Sequence, residues 1–459
     1  MVETLDVSTA EMSTEDSPQV TATAVTLTVD SRRAELYEEL HNRPSPLVDT
    51  PCVVSHMAIR LNEQERLLEH AHLEALCLRF SINPPSADSS CYYQNFGGFE
   101  LRWEKHLEFS TYTFIAPQPT PGLFNDSALR FIPRDWLTAM PGQLIAAVHL
   151  SVIKDDQPVG EDALVEAFEG MRLSGSVVAK GKAEILTSFR IHSDGFSRFV
   201  IRDRALNAYQ AGRLIQRVLE IETYRLMALL GLPIARKLAP NVTEMEETLA
   251  RINQQIATQG DFSDDQEMLE SLTKVAAQVE KYRSDTNYRF GATNAYFDLV
   301  SSRLEQLKEE QVAGRQTLEE FLDRRLGPGI STCNAIRQRM EDLSRRVAQT
   351  SSLLRTRVEL NIATQNQNLL ESLDRRSGLQ LRLQQAVEGF SVAAIAYYLM
   401  GLLGYVYSAL IEQGVALDKN LALGISVPIV LVVVWLGTRG LIRTMLPTKE
   451  LPEKAPPKK

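Results

Sequence analysis

The sequence predicts an α+β protein with three parts. These are an amino-terminal mixed α/β domain with a largely antiparallel sheet, a long coiled-coil-like helical stalk, and a carboxy-terminal two-helix transmembrane hairpin. Three observations predict it. Before residue 206, apolar and polar side chains alternate at the period of strands. After it, apolar residues recur at steps of three and four, the repeat of helices. Finally, residues 389–411 and 421–438 carry no charged side chain. The first run is long enough to cross a bilayer, which takes about 20 apolar residues.

Taken in order, residues 1–30 are rich in Thr, Ser and Glu and contain no Lys or Arg. They are expected to form a disordered tail and no signal peptide. Residues 31–205 are expected to form the α/β domain. A helix from Ser31 through His41 ends at Asn42-Arg43-Pro44-Ser45-Pro46, because prolines cannot continue a helix. Cys52 to Ile59 reads as a strand. Asn62 with Glu65 three residues on is an N-terminal capping pair for a helix to about Arg79. Phe99 to Phe109 alternates Phe99, Leu101, Trp103, Leu107 and Phe109 with Glu100, Arg102, Glu104, His106 and Glu108, the pattern of a half-buried strand. Strands are expected again at Leu144–Ile153, Ser176–Ala179, Ala183–His192 and Phe196–Arg202, with a short helix at Glu161–Phe168. Asp194-Gly195 marks a hairpin between the last two strands.

Residues 206–386 form the expected stalk. Leu214, Val218, Ile221 and Leu229 define a strongly apolar helix. Val242–Gln259 and Asp264–Leu326 are expected to fold back as an antiparallel hairpin, with breaks near Gly260 and at Gly327-Pro328-Gly329. Cys333, Ile336, Met340, Leu343, Val347, Thr350 and Leu354 then keep a seven-residue repeat, as in coiled coils. An uninterrupted helix from Ser331 to the first span would be roughly 80 Å long.

The hairpin is placed at residues 387–438 and a basic tail at 439–459. Arg375, Arg376 and Arg382 precede the spans, and Arg439, Arg443, Lys449, Lys454, Lys458 and Lys459 follow them. This bias puts both termini in the cytoplasm. The tail is suited to anionic lipid. Gly401 and Gly404 permit close helix approach.

The formal net charge of −9 argues against a nucleic-acid partner. The four cysteines, Cys52, Cys77, Cys91 and Cys333, lack C-x-x-C spacing and are expected as reduced thiols. Neither a nucleophile elbow, a Walker loop nor a dinucleotide fingerprint occurs, so no enzyme, cofactor or metal is expected. Two groups remain as candidate sites. His41, Arg43, Arg102, Glu104 and His106 form a candidate interaction surface, with a solvated strand face and an ordinary helix end as the plainer account. Asn361, Thr364, Gln365, Asn368 and Ser372 form a polar seam just before the first span. Such a seam fixes register in a coiled coil, lines a hydrated bore in a ring, or is simply solvated.

The stretches ELHNRPSP (39–46), FGGFELRWEKHLEFSTYTF (96–114), HSDGFSRFVIRD (192–203), AGRLIQRVLEIETYR (211–225) and SLDRRSGLQLRLQQAVEGFSVAAIAYY (372–398) resemble a bacterial family. It is described as predicted membrane-anchored proteins and catalogued as a domain of unknown function. The resemblance implies an anchor in a bacterial inner membrane and brings no activity. The layout is also similar to CorA-type magnesium channels, although Tyr407 to Gly414 holds no Gly-Met-Asn triplet. The expectation is a membrane-anchored, non-enzymatic scaffold or sensor whose partners are the lipid bilayer and further copies of itself. The alternative is a two-span channel for a divalent cation.

Overall fold

The computed structural model describes residues 4–11, 21–33, 36–37, 45–118, 122–156, 159–258, 262–412 and 418–445. The chain divides into two compact units: residues 1–259 with 268–351, and residues 260–267 with 352–459. The described strands all lie in the first unit, and the chain as a whole is α+β.

In the first unit, strands β1 (Thr4–Glu11) and β2 (Thr21–Thr28) pair as an antiparallel ribbon. A tail was expected there; the β-branched Thr and Val of 21–28 favour strand instead. Among the described residues the main sheet has nine strands. They are β3 (Cys52–Arg60), β4 (Cys91–Asn95), β5 (Glu100–Lys105), β6 (Phe109–Pro117), β7 (Gln143–Lys154), β8 (Ser174–Val178), β9 (Ala183–Ile191), β10 (Ser197–Asp203) and β11 (Glu310–Gln311). Their order is β11-β8-β9-β10-β7-β3-β6-β5-β4. Every pair is antiparallel except β10 with β7.

Helix α1 (Glu63–Arg79) starts with the expected box: Asn62 Oδ1 accepts from Glu65 N, and the Glu65 carboxylate accepts from Asn62 N. With α2 (Arg134–Thr138) it covers one face of the sheet, where Leu73, Leu76, Leu101, Trp103, Phe114 and Trp136 are buried. Buried on that face, the Glu69 carboxylate accepts from Trp103 Nε1 (2.9 Å), Ser110 Oγ (3.0 Å) and Tyr112 OH (3.0 Å). Short α3 (Glu161–Ala167) buries Leu164 beside Phe168 and Leu186.

The opposite face packs on α4 (Ala208–Leu229) through Leu214, Ile215, Val218 and Ile221. A Cβ at Gly212 would run into the Pro46 carbonyl, so only glycine lets the incoming chain cross α4 there.

Helices α5 (Gly231–Thr258), α6 (Phe262–Leu307), α7 (Leu318–Arg325) and α8 (Gly327–Glu412) follow. Residues 327–351 of α8 run parallel to α5 and antiparallel to α6. The contacts are Arg339 with Glu246 (2.6 Å), Thr350 Oγ1 with Asn253 (3.0 Å) and Asn294 with Asn334 (2.8 Å). The heptad residues Cys333 to Leu354 are buried. They meet partners in their own chain.

Three expectations change. The alternation over residues 99–109 is a hairpin, β5 and β6, turning at His106–Glu108 with Leu107 exposed at its tip. Strands β4 and β11 and helix α2 carried too short a pattern to foresee. The long helix expected through Leu326 stops at Leu307, where Lys308 adopts a positive φ and β11 pairs with β8.

The second unit contains residues 352–412 of α8 and α9 (Lys419–Met445), which lie against each other. Tyr407 OH and Ser426 Oγ are 2.7 Å apart, and Ala396 and Val434 are buried.

Leu73 is fully buried and Leu67 is 80% exposed on the same helix. Leu73→Ala is expected to lower stability by about 2–5 kcal/mol, and Leu67→Ala by less than about 0.5 kcal/mol. Urea unfolding followed by emission of the buried Trp103 and Trp136 checks this; equal losses would contradict the assigned face of α1.

Candidate functional site

Alternate residues of a strand face opposite sides. On β3, β5 and β6 the side towards α1 is mainly apolar, with Ser55 and Ser110 as exceptions, whereas the side towards α4 carries His56, Arg102, Glu104, Thr111 and Thr113. These residues, His106 and Phe109, and Gln216, Glu220 and Thr223 of α4 enclose a cavity of about 30 Å³.

His56 is the hub. One ring nitrogen, Nδ1, lies 2.8 Å from Thr113 Oγ1, and Nε2 lies 3.1 Å from Thr223 Oγ1, so the imidazole bridges β3, β6 and α4. Burial, helped by the nearby His106 and Arg102 charges, pushes its pKa down to about 3. It is therefore a neutral ring at physiological pH, with one nitrogen donating and the other accepting.

Arg102 is 4% exposed and donates from Nη2 to Glu104 Oε1 at 2.9 Å. Residues two apart on a strand share a face, which is why this pair meets. Arg102 Nε and Thr111 Oγ1 are buried without a hydrogen-bond partner among the described residues. A cavity of this size holds one or two waters and no organic ligand. It is a polar joint between sheet and helix.

The hairpin tip is fastened separately. His106 stacks on Phe109 with centroids 4.4 Å apart, and Arg66 Nη2 donates to the His106 carbonyl at 2.7 Å. Glu108 pairs with Arg289 of α6. Burial opposes ionisation of Glu108, but the Arg289 guanidinium prevails and holds its carboxyl below the usual range.

The structure thus brings Arg102, Glu104 and His106 together, but turns them inward under α4. His41 and Arg43 lie outside the described residues. His56, Thr113 and Thr223 were missed as members of the site; the only signal was a histidine in an apolar strand. Among the described residues, no three His, Cys, Asp or Glu side chains gather as metal ligands.

The polar seam is not one environment. Asn361 Nδ2 donates to Asp265 Oδ2 at 3.3 Å, and Arg357 pairs with the same fully buried carboxylate. Thr364 Oγ1 donates to the Leu360 carbonyl of its own helix. Gln365, Asn368 and Ser372 are exposed.

A family described as "Protein of unknown function (DUF3422)" matches residues 29–445. No curated protein and no solved structure matches, so the likeness to CorA-type channels gains no support from a known structure.

The site makes a pH prediction. The unfolded chain protonates His56 near 6.5 and the folded chain near 3. Its stabilising contribution is therefore complete above pH 6.5 and lost as pH falls towards 3, with a slope of up to about 1.4 kcal/mol per pH unit. His56→Gln is expected to lose less stability between pH 7 and pH 5 than the natural chain, measured as urea midpoints. Identical slopes would mean that His56 does not report this burial.

Proposed function

The chain belongs to this family of proteins of unknown function over nearly its whole length, and on that premise we propose a membrane-tethered, non-enzymatic module. It assembles with further copies of itself and serves as a scaffold or sensor on the cytoplasmic side of a bacterial inner membrane.

The observation that carries the reading is how little of its apolar helices the chain itself covers. The most apolar windows of the two candidate membrane helices are only 6% and 17% buried. A core helix of a soluble protein would be mostly covered. Phe390, Tyr397, Leu402, Tyr405, Val433 and Trp435 are all exposed. Leaving such side chains in water costs about 1.5–3 kcal/mol each, which lipid removes. The basic residues flanking the two helices orient both termini to the cytoplasm.

Self-association draws on the same helix one step earlier. Up to Leu354 the heptad positions are buried and, apart from Thr350, apolar, but Arg357, Asn361, Thr364 and Asn368 continue the same repeat in polar residues. On other faces Leu360, Leu369, Leu370 and Leu373 are exposed. A second copy laid alongside would cover leucines that no described residue covers.

The test uses membranes containing the full chain. It is expected to stay in the pellet through an alkaline carbonate wash, and Leu402→Arg with Val432→Arg is expected to release it, because a mid-membrane charge costs about 2.5–3.5 kcal/mol. Light scattering of the detergent-solubilised chain is expected to give a mass of two or more copies. Release of the natural chain, or a single-copy mass, would overturn the anchor or the assembly respectively. Four or more copies would favour a pore lined by Gln365, Asn368 and Ser372.

A further inference from the structure

The sheet edge formed by β8 and β11 is flanked by α7 and by the turn after α3. These segments surround a cleft of about 430 Å³ within the first unit. Four arginines line it, from three separate stretches of chain. Arg172 follows α3, Arg315 lies between β11 and α7, and Arg324 and Arg325 occupy the last turn of α7. The only carboxylate among its described lining residues is Glu320. A chain with a net charge of −9 has gathered positive charge at this place.

Among the described residues little neutralises these charges. Arg315 Nη2 donates to Glu161 Oε1 at 2.6 Å, but Glu161 is 75% exposed, and so open a pair contributes little. The other terminal nitrogen of Arg315, Nη1, is buried without a hydrogen-bond partner among the described residues. Arg325 lies over the Phe321 ring at 6.0 Å. Arg172 and Arg324 form no ion pair with a described residue. The last turn of a helix favours cations, which accounts for Arg324 and Arg325. It does not account for Arg172 and Arg315.

The frame holding the arginines is fixed. β11 pairs with β8 through Glu310 with Val177 and Gln311 with Ser176. Gly175 N donates to the Gln316 carbonyl at 2.9 Å, pinning the segment that bears Arg315. The Glu309 carboxylate accepts from Ser176 Oγ (2.7 Å) and from Leu318 N (3.0 Å), locking the start of α7 to β8. No reordering of this frame is needed for a ligand to enter.

We infer that this cleft binds a phosphate group, carried by a small organic phosphate or by an anionic lipid headgroup. Guanidinium forks match pairs of phosphate oxygens, and a doubly charged group with three free oxygens uses several forks at once. A single carboxylate would leave most of them idle. The volume lies within the usual range for small-ligand sites, about 300–1,000 Å³.

The test uses the full chain in uncharged detergent micelles at constant ionic strength. It is titrated calorimetrically with pyrophosphate and, separately, with micelles containing phosphatidic acid, whose phosphomonoester headgroup keeps three free oxygens. Binding is expected to saturate and to weaken about tenfold or more, equivalent to about 1.4 kcal/mol, in Arg172→Gln with Arg324→Gln. Both side chains are exposed, so the variant should keep its melting midpoint. Arg324→Lys, which retains the charge and loses the fork, gives a second readout: weaker binding than the natural chain in a protein of unaltered charge. Saturation by pyrophosphate assigns a soluble phosphate; saturation by phosphatidic acid that pyrophosphate does not displace assigns a headgroup. No saturation with either probe, or equal affinity in the double variant, overturns the inference.

Discussion

Strand β3 is hydrogen-bonded along both edges, to β6 and to β7, and α1 covers one of its faces while α4 covers the other. A strand so placed is shut off from water except at its last residue, Arg60. Every polar group on it must find a partner inside the protein, because an unsatisfied one costs about 1–3 kcal/mol. His56 meets that demand with a threonine on each side of its ring, and Ser55 meets it with Ser127 and His149. Much of the first unit follows from this constraint. Arg102 is matched to Glu104, and the Glu69 carboxylate takes three neutral donors from β5 and β6.

The same constraint explains what the sequence could and could not reveal about the site. Alternation over residues 99–109 assigned the right side chains to each face of a strand, and that assignment holds within β5. Alternation cannot say whether the polar side meets water or another layer. Arg102 and Glu104 look like solvated residues by type, yet α4 lies above them. What closes that side is a helix more than 100 residues later in the chain, beyond the reach of any local pattern. The hairpin turn was hidden for a related reason. His106-Leu107-Glu108 contains no Gly, Pro or Asn, and the apolar–polar rhythm runs through it unbroken.

Helical segments were far more legible, because their signals are local and long. The Asn62–Glu65 box marks the start of α1 as expected, and the heptad from Cys333 to Leu354 identifies the buried face of α8 residue by residue. The repeat does not identify its partner. A coiled-coil stripe can be covered by another subunit or by the same chain, and here α5 and α6 lie alongside it. The terminating signals were weaker. Lys308 ends α6 in a conformation that side chains other than glycine seldom adopt, and nothing in its type announces this.

A helix that is buried along its repeat over one stretch and largely uncovered over the next has two different requirements written along it. Before Leu354 its apolar positions are spent within the fold, so substitutions there act on stability. After Leu354 the repeat turns polar at Arg357 and Asn361, and most of the remaining leucines and of the two candidate membrane helices stay uncovered by described residues. The open features are an uncovered helix and an arginine cleft with little internal neutralisation.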